Sequence, residues 1–151
     1  MGGTYSSLNY HLVFSTKNRE PFIDHPDFER RLHQYLGGAI RGQKALPLII
    51  NGTADHVHLL IRWVPNGNLS NLLRDVKSGS SKWVHETFPM RRSFGWQDGF
   101  GAFSVSASQV QTVHHYVARQ KEHHKTKNFQ SEFRALLTAH DVAWDEEKIW
   151  L

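Results

Sequence analysis

Four short segments of strand character, with helical stripes set between and after them, constrain what this chain can fold into more than any other feature. Residues 8–15, LNYHLVFS, mix two-residue alternation with aromatic and β-branched side chains and read as a strand. Phe28, Leu32, Tyr35, Leu36 and Ile40 then recur at steps of three and four, the period of an amphipathic helix, which Gly42 is placed to close. Residues 46–50 and 57–63 read as two further strands, joined through the turn-rich loop 51–55 as a hairpin. After the Pro65-Asn66-Gly67 turn, Leu69, Leu72, Leu73 and Val76 open a second helix toward Trp83, Val84 and Phe88, in which Ser78-Gly79-Ser80-Ser81 interrupts the helical propensity. Residues 99–106 alternate as a fourth strand; Val110, Val113, Tyr116, Val117 and Gln120 share a helical stripe, and a last helix is expected over about 130–140. The order strand, helix, strand, strand, helix, strand predicts an α+β fold: a ferredoxin-like split βαβ sandwich with an antiparallel sheet and added C-terminal helices. A chain of 151 residues without a linker or repeat is expected to be a single domain, 1–151.

Composition narrows the partners. Lysine and arginine number 18 against 14 acidic residues, and 11 histidines can add positive charge beside an acidic ligand, so a polyanion is favoured. The absence of cysteine excludes disulfides, thiol catalysis and zinc ribbons, and fits a reducing cytoplasm. No signal-like or membrane-spanning stretch is visible, and the myristoylation-like start and two glycosylation-like triplets are read as chance matches to short patterns.

The chemistry concentrates at Asp55-His56-Val57-His58-Leu59. Side chains two apart on a strand share a face, so both imidazoles project together while Val57 and Leu59 point the other way. Tyr116 and Gln120, four apart, share a helical face. If that face meets the histidine strand, the Gln120 amide oxygen completes a His, His, Gln set with coordination positions open to a substrate oxygen, beside a phenol able to attack phosphorus. Asp55 either orients one of the histidines or merely ends the turn.

The His56-Val57-His58 strand and the Tyr116 to Gln120 helix resemble the single-tyrosine HUH transposases of the smallest bacterial insertion sequences and their REP-associated relatives. Ser80-Ser81-Lys82-Trp83, residues 96–106 and Trp150 carry the same resemblance, which spans nearly the whole chain; Phe100 stands where the family often has tyrosine. The resemblance implies the HUH endonuclease fold and a cytoplasmic bacterial enzyme that cuts and rejoins single-stranded DNA at hairpin-marked element ends with Mg or Mn. Tyr116 would be the nucleophile, forming a 5′-phosphotyrosine, and His56, His58 and Gln120 would hold the cation. Family members are homodimers, often with the tyrosine helix of one chain serving the histidine pair of the other.

Arg74, Lys77, Lys82, Arg91, Arg92, Arg119 and Lys121 are the candidates for DNA phosphate contacts, against the simpler reading of solvated faces. Trp63, Trp83 and Trp96 offer surfaces for base stacking, with core packing the expected role of the first two. His114, His115, His123 and His124 are competing ligands near the tyrosine, and imidazole donors alone suggest Zn, Fe or Mn ahead of Mg. Two other classes compete with strand transfer. One is a chemically silent or domesticated nucleic-acid binder of the same fold, which the complete Tyr116, His56, His58 and Gln120 set argues against. The other is a metal-dependent oxygenase or hydrolase, for which no further histidine or carboxylate stands out on a strand.

Overall fold

A computed structural model describes residues 2–151. Strands β1 (Leu8–Ser15), β2 (Leu46–Thr53), β3 (His56–Trp63) and β4 (Gly101–Val105) form one sheet in the order β2-β3-β1-β4, every neighbouring pair antiparallel. Together with helices α1 (Pro26–Gly42) and α2 (Leu69–Thr87) this is the split βαβ arrangement expected from the order of elements. Three further helices follow: α3 (Val110–Ala118), the short α4 (Gln120–His123) and α5 (Phe129–Ala139).

The two-residue alternation of the central strands divides the molecule into layers. Leu12, Phe14, Val57, Leu59 and Ile61 pack with Phe28, Leu32, Leu36 and Ile40 of α1 and Leu72, Leu73, Val76 and Val84 of α2 in the main apolar core. Their alternates point to the opposite face, where Val13 joins Phe103, Phe129 and Leu137 in a smaller cluster beneath α5. The polar alternates Asn9, His11, His56 and His58 are buried on that side. The second face is thus an enclosed polar patch bordered by aromatic packing.

Local sequence sets the helix starts. Pro26 occupies the first turn of α1, and the side chains of Asn68 and Asn128 cap α2 and α5 by accepting from Asn71 N at 3.0 Å and Ser131 N at 2.9 Å. Helix α1 runs through Gly42, and the left-handed residue that follows is Lys44, φ 63°. The 78–81 stretch does not interrupt α2. Gly79 lies where a Cβ would come 3.3 Å from the Tyr35 hydroxyl, and buried Ser80 accepts a hydrogen bond from Trp96 Nε1 at 2.9 Å, so tertiary contacts override weak propensity.

The hairpin is tighter than a five-residue loop. β2 and β3 pair out to Thr53 and His56, leaving Ala54 and Asp55 at the turn. This closure requires glycine at 52: a Cβ there would stand 2.1 Å from the His56 carbonyl oxygen and 2.9 Å from Val57 Cα, both backbone atoms that cannot swing away. Gly52→Ala is expected to lower the unfolding free energy by about 2–3 kcal/mol, read as a shift of the urea midpoint at unchanged slope. It should also displace His56; unchanged stability would mean that the hairpin has more slack than this register allows.

Candidate active site

β3 delivers His56 and His58 to the same side of the sheet, both fully buried. Each ring is held from behind through Nδ1. His56 Nδ1 lies 2.7 Å from Asp55 Oδ1 and 3.0 Å from Thr53 Oγ1, and His58 Nδ1 lies 2.7 Å from Nε2 of His11 on β1. Asp55 therefore orients His56, as well as sitting at the turn. With Nδ1 engaged, both histidines present Nε2 to the interior, the arrangement expected of imidazole ligands held by outer partners.

What both Nε2 atoms meet is a carboxylate. Glu132 Oε1 lies 3.2 Å from His56 Nε2, 3.1 Å from His58 Nε2 and 2.8 Å from His124 Nε2. Its other oxygen, Oε2, accepts from Gln120 Nε2 at 2.8 Å and from the Tyr116 hydroxyl in a short hydrogen bond. The Gln120 amide oxygen stands 3.0 Å from His56 Nε2. The expected His56, His58, Gln120 and Tyr116 set is thus assembled within one chain, with the Tyr116 and His58 ring centroids 5.8 Å apart. Tyr116 and Gln120 do not share an unbroken helix, however: α3 ends at Ala118, and Arg119 (φ −99°, ψ 18°) separates it from α4.

Glu132, 1% exposed, is the residue that reading the sequence missed. A signal for it was present. Phe129, Glu132, Phe133, Leu136 and Leu137 occupy one helical stripe, so Glu132 is a charge on the inward face of an amphipathic helix. His11 is a similar case, a polar residue at an inward position of a central strand. Ligand atoms from His56, His58 and Glu132 lie within 4.8 Å of one another. Two imidazoles, a carboxylate and the nearby Gln120 oxygen fit a divalent cation with nitrogen and oxygen preference.

Electrostatics fit the same conclusion. Burial opposes ionisation of Glu132, but hydrogen bonds from His124, His56 and His58 outweigh it and hold the carboxyl well below its ordinary range. Burial likewise opposes the charge on His56, yet its bonds to Asp55 and Glu132 raise its pKa to about 9, so a proton occupies the place where a cation would be favoured. Burial lowers His58 to about 4 and, helped by His58, lowers His11 to about 3. The Tyr116 hydroxyl is pushed up, first by burial and then by its bond to the Glu132 carboxylate.

These shifts give a two-sided pH dependence. His11 and His58, and His33 lowered by burial to about 4, are depressed relative to 6.5, so their stability contribution is complete above pH 6.5 and lost as pH falls toward 4 and below. His56 has the opposite sign: its contribution is present below pH 6.5 and lost as pH rises through about 9. Cation-free protein is expected to be most stable near neutrality and to lose of order a few kcal/mol on each side, measured as urea midpoints from pH 4 to 9.5 in chelator. A stability curve that rose steadily to pH 9.5 would contradict the charged state of His56.

The basic candidates separate into distinct settings. Arg74, Lys77 and Arg92, with Lys17, line a groove of about 660 Å³ between α2 and the 92–100 loop. Within it, Lys77 Nζ donates to the carbonyls of Gln97 at 2.7 Å and Gly99 at 2.6 Å and so shapes the loop. Lys82 lies 3.8 Å from Glu86, Arg91 pairs with Asp24 at 3.0 Å, Arg119 with Glu122 at 3.2 Å and Lys121 with Glu29 at 2.9 Å. Trp63 is buried and donates to Gln43 O at 3.1 Å, and Trp83 stacks on Tyr35. Trp96 packs edge-on to Phe14 and Phe94, which makes it a core contact as well. Of the other histidines, His124 reaches Glu132 as described, and the His123 ring lies 5.4 Å from that of Tyr116.

Against known proteins, the family described as IS200-like transposase matches residues 4–120. The chain belongs to the IS200-like transposase family. A crystal structure of a protein described as a transposase from Deinococcus radiodurans R1 superposes with a TM-score of 0.66 at 20% identity, covering 80% of this chain and 95% of that one. A REP-associated tyrosine transposase bound to a REP hairpin superposes with a TM-score of 0.56 at 12% identity, over 80% of this chain and 68% of that one. No curated protein matches. In this IS200-like transposase, Gln120 is the last residue of the matched stretch, so His123, His124 and Glu132 enter the site from beyond it. Among the described residues, no helix is long and apolar enough to cross a membrane.

Proposed function

We propose that this transposase cuts and rejoins single-stranded DNA at the hairpin-marked ends of a mobile element, with Tyr116 as nucleophile. The observation that carries this reading is the convergence of the Tyr116 hydroxyl, the His56 and His58 Nε2 atoms and the Gln120 amide on the two oxygens of Glu132. A hairpin-bound structural neighbour supports the choice of substrate.

In the proposed reaction the Tyr116 oxygen attacks phosphorus, the P–O3′ bond breaks, and the strand's 5′-phosphate remains on the tyrosine while the departing O3′ takes up a proton. Attack by the O3′ of a second strand reverses these bonds and restores Tyr116, so rejoining needs no nucleotide triphosphate. Before attack, Glu132 Oε2 accepts the hydrogen bond of the phenol and so orients its oxygen; the proton that the phenol gives up ends on the departing O3′, directly or through water. His56, His58 and Glu132, with Gln120 beside them, would hold the divalent cation. When bound, Mg or Mn supplies Lewis-acid polarisation of the phosphate and positive charge that favours phenolate. Imidazole donors favour the tighter binding of Mn. Asp55 and His11 keep the two imidazoles facing inward. The cationic groove of Lys17, Arg74 and Arg92 is suited to phosphate contacts along the hairpin stem.

Incubation with end-labelled single-stranded DNA carrying the hairpins that flank the gene, in Mn, is expected to give a covalent protein–DNA adduct. Its absence with every flanking hairpin would favour a DNA binder that has lost its chemistry. Excision involves two element ends and each chain has one such tyrosine, so a homodimer is the expected unit. The position of Tyr116 beside its own chain's histidines supports sites completed in cis. A mixture of Tyr116→Phe and His56→Ala proteins is then expected to stay inactive, and recovered adduct would establish exchange of the tyrosine helix between chains.

A further inference from the structure

A second concavity lies one aromatic ring away from the histidine site. Phe129 packs against His56, with ring centroids 4.6 Å apart, and its neighbours Phe133 and Trp150 extend the aromatic surface outward. This surface forms one wall of a pocket of about 270 Å³, whose other lining includes Arg19, Gln97, Asp98 and Phe100. The size suits a single small planar group.

The pocket is built rather than incidental. Asn18 and Arg19 both adopt the left-handed backbone region, φ 53° and 56°, a strained pair of non-glycine residues of the kind that collects at binding sites. Gln97 ties the opposite sides together: its Oε1 accepts from Asn18 N at 2.7 Å and its Nε2 donates to Trp150 O at 3.2 Å. Gly99, φ 83°, turns the loop beneath Phe100, and Lys77 fastens the carbonyls on both sides of Asp98. Within this frame the Arg19 guanidinium lies 5.5 Å from the centre of the Trp150 ring, and its Nη1 is buried without a hydrogen-bond partner. Asp98 is exposed and makes no hydrogen bond or ion pair among the described residues. A buried donor without a partner and a solvent-exposed carboxylate therefore flank an aromatic wall.

We propose that this pocket receives one unstacked guanine of the single-stranded DNA. Guanine presents the acceptors O6 and N7, which suit Arg19, and the donors N1–H and N2–H, which suit the Asp98 carboxylate. Its ring stacks on the aromatic side chains, as bases of single strands do on exposed rings. Adenine carries an amino donor where guanine has O6 and lacks the N1–H and N2–H donors, so it mismatches both residues. Phe129 is common to both sites, lining the pocket on one side and packing against His56 on the other.

The inference rests on the single-stranded DNA reading, and its test needs no chemistry. Binding of fluorescent thymine pentamers with one central guanine, adenine, inosine or 7-deazaguanine would be measured by anisotropy in chelator. Guanine is expected to bind at least about fivefold more tightly than adenine. Inosine, without the 2-amino group, should lose affinity in the unmodified protein but no further in Asp98→Asn. 7-Deazaguanine should lose affinity in the unmodified protein but no further in Arg19→Gln. Equal binding of guanine and adenine, undiminished binding of both analogues, or no binding of any pentamer would overturn the proposal using the unmodified protein alone. A guanine preference without Tyr116-dependent adduct would leave the pocket standing and defeat the strand-transfer reading; adduct without base preference would do the reverse.

Discussion

Replacing Tyr116 with phenylalanine is expected to abolish the covalent adduct, by at least about 10⁴-fold in rate, while hairpin affinity changes less than twofold. The ring remains to pack beside His58 and His123. Only the oxygen that would attack phosphorus is lost, together with its hydrogen bond to Glu132 Oε2. That oxygen keeps the bond from Gln120 Nε2, so the carboxylate is not stranded and the stability cost is about 1–2 kcal/mol. The decisive reading is a denaturing gel of labelled hairpin with Mn, checked by the mass of the tyrosine peptide in the unmodified protein. Adduct persisting in Tyr116→Phe would assign the nucleophile to another residue.

Glu132→Ala should have the largest effect on the cation-free protein, about 3–5 kcal/mol of unfolding free energy. Glu132, itself buried, is the common partner of His56, His58, His124, Gln120 and Tyr116. Removing it leaves a buried imidazolium without one of its counter-charges and several polar groups without a partner, a heavier penalty than the loss of any one hydrogen bond. Glu132→Gln keeps the shape and part of the hydrogen bonding, so its smaller loss measures the charge itself. Titration of both variants with Mn tests the second role: if the carboxylate is a ligand, affinity should drop by more than the roughly 10- to 100-fold typical of an outer partner. Stability within 1 kcal/mol and unchanged Mn affinity would show that Glu132 is not the centre of the site.

Much of the frame was legible from local chemistry. The strand and helix order follows from the periods of apolar residues, and the common face of His56 and His58 follows from the two-residue repeat of a strand. Tyr116 and Gln120 meet across the helix break because one turn of spacing survives it. Where local reading failed, a tertiary contact had replaced a local preference. Gly79 and Ser80 weaken a helix in isolation, yet here they meet Tyr35 and accept from Trp96. The hairpin loop shortened because Gly52 allows two backbones to approach more closely than any side chain would permit.

The sequence by itself determined which residues point together: the histidine pair, the tyrosine with the glutamine, and the apolar faces that stack into layers. Periodicity reports a side chain's direction relative to its own element, and that is local information. Only the tertiary structure decided what those faces meet. Glu132 became the hub because α5 packs over the polar face of the sheet, and Tyr116 lies beside the histidines of its own chain because α3 folds back on β2 and β3. The same packing gave Arg91 and Lys121 their distant carboxylate partners, Asp24 and Glu29, and set Arg74 and Arg92 along a groove. Such convergence depends on the distances between elements far apart in the chain, which no local period encodes.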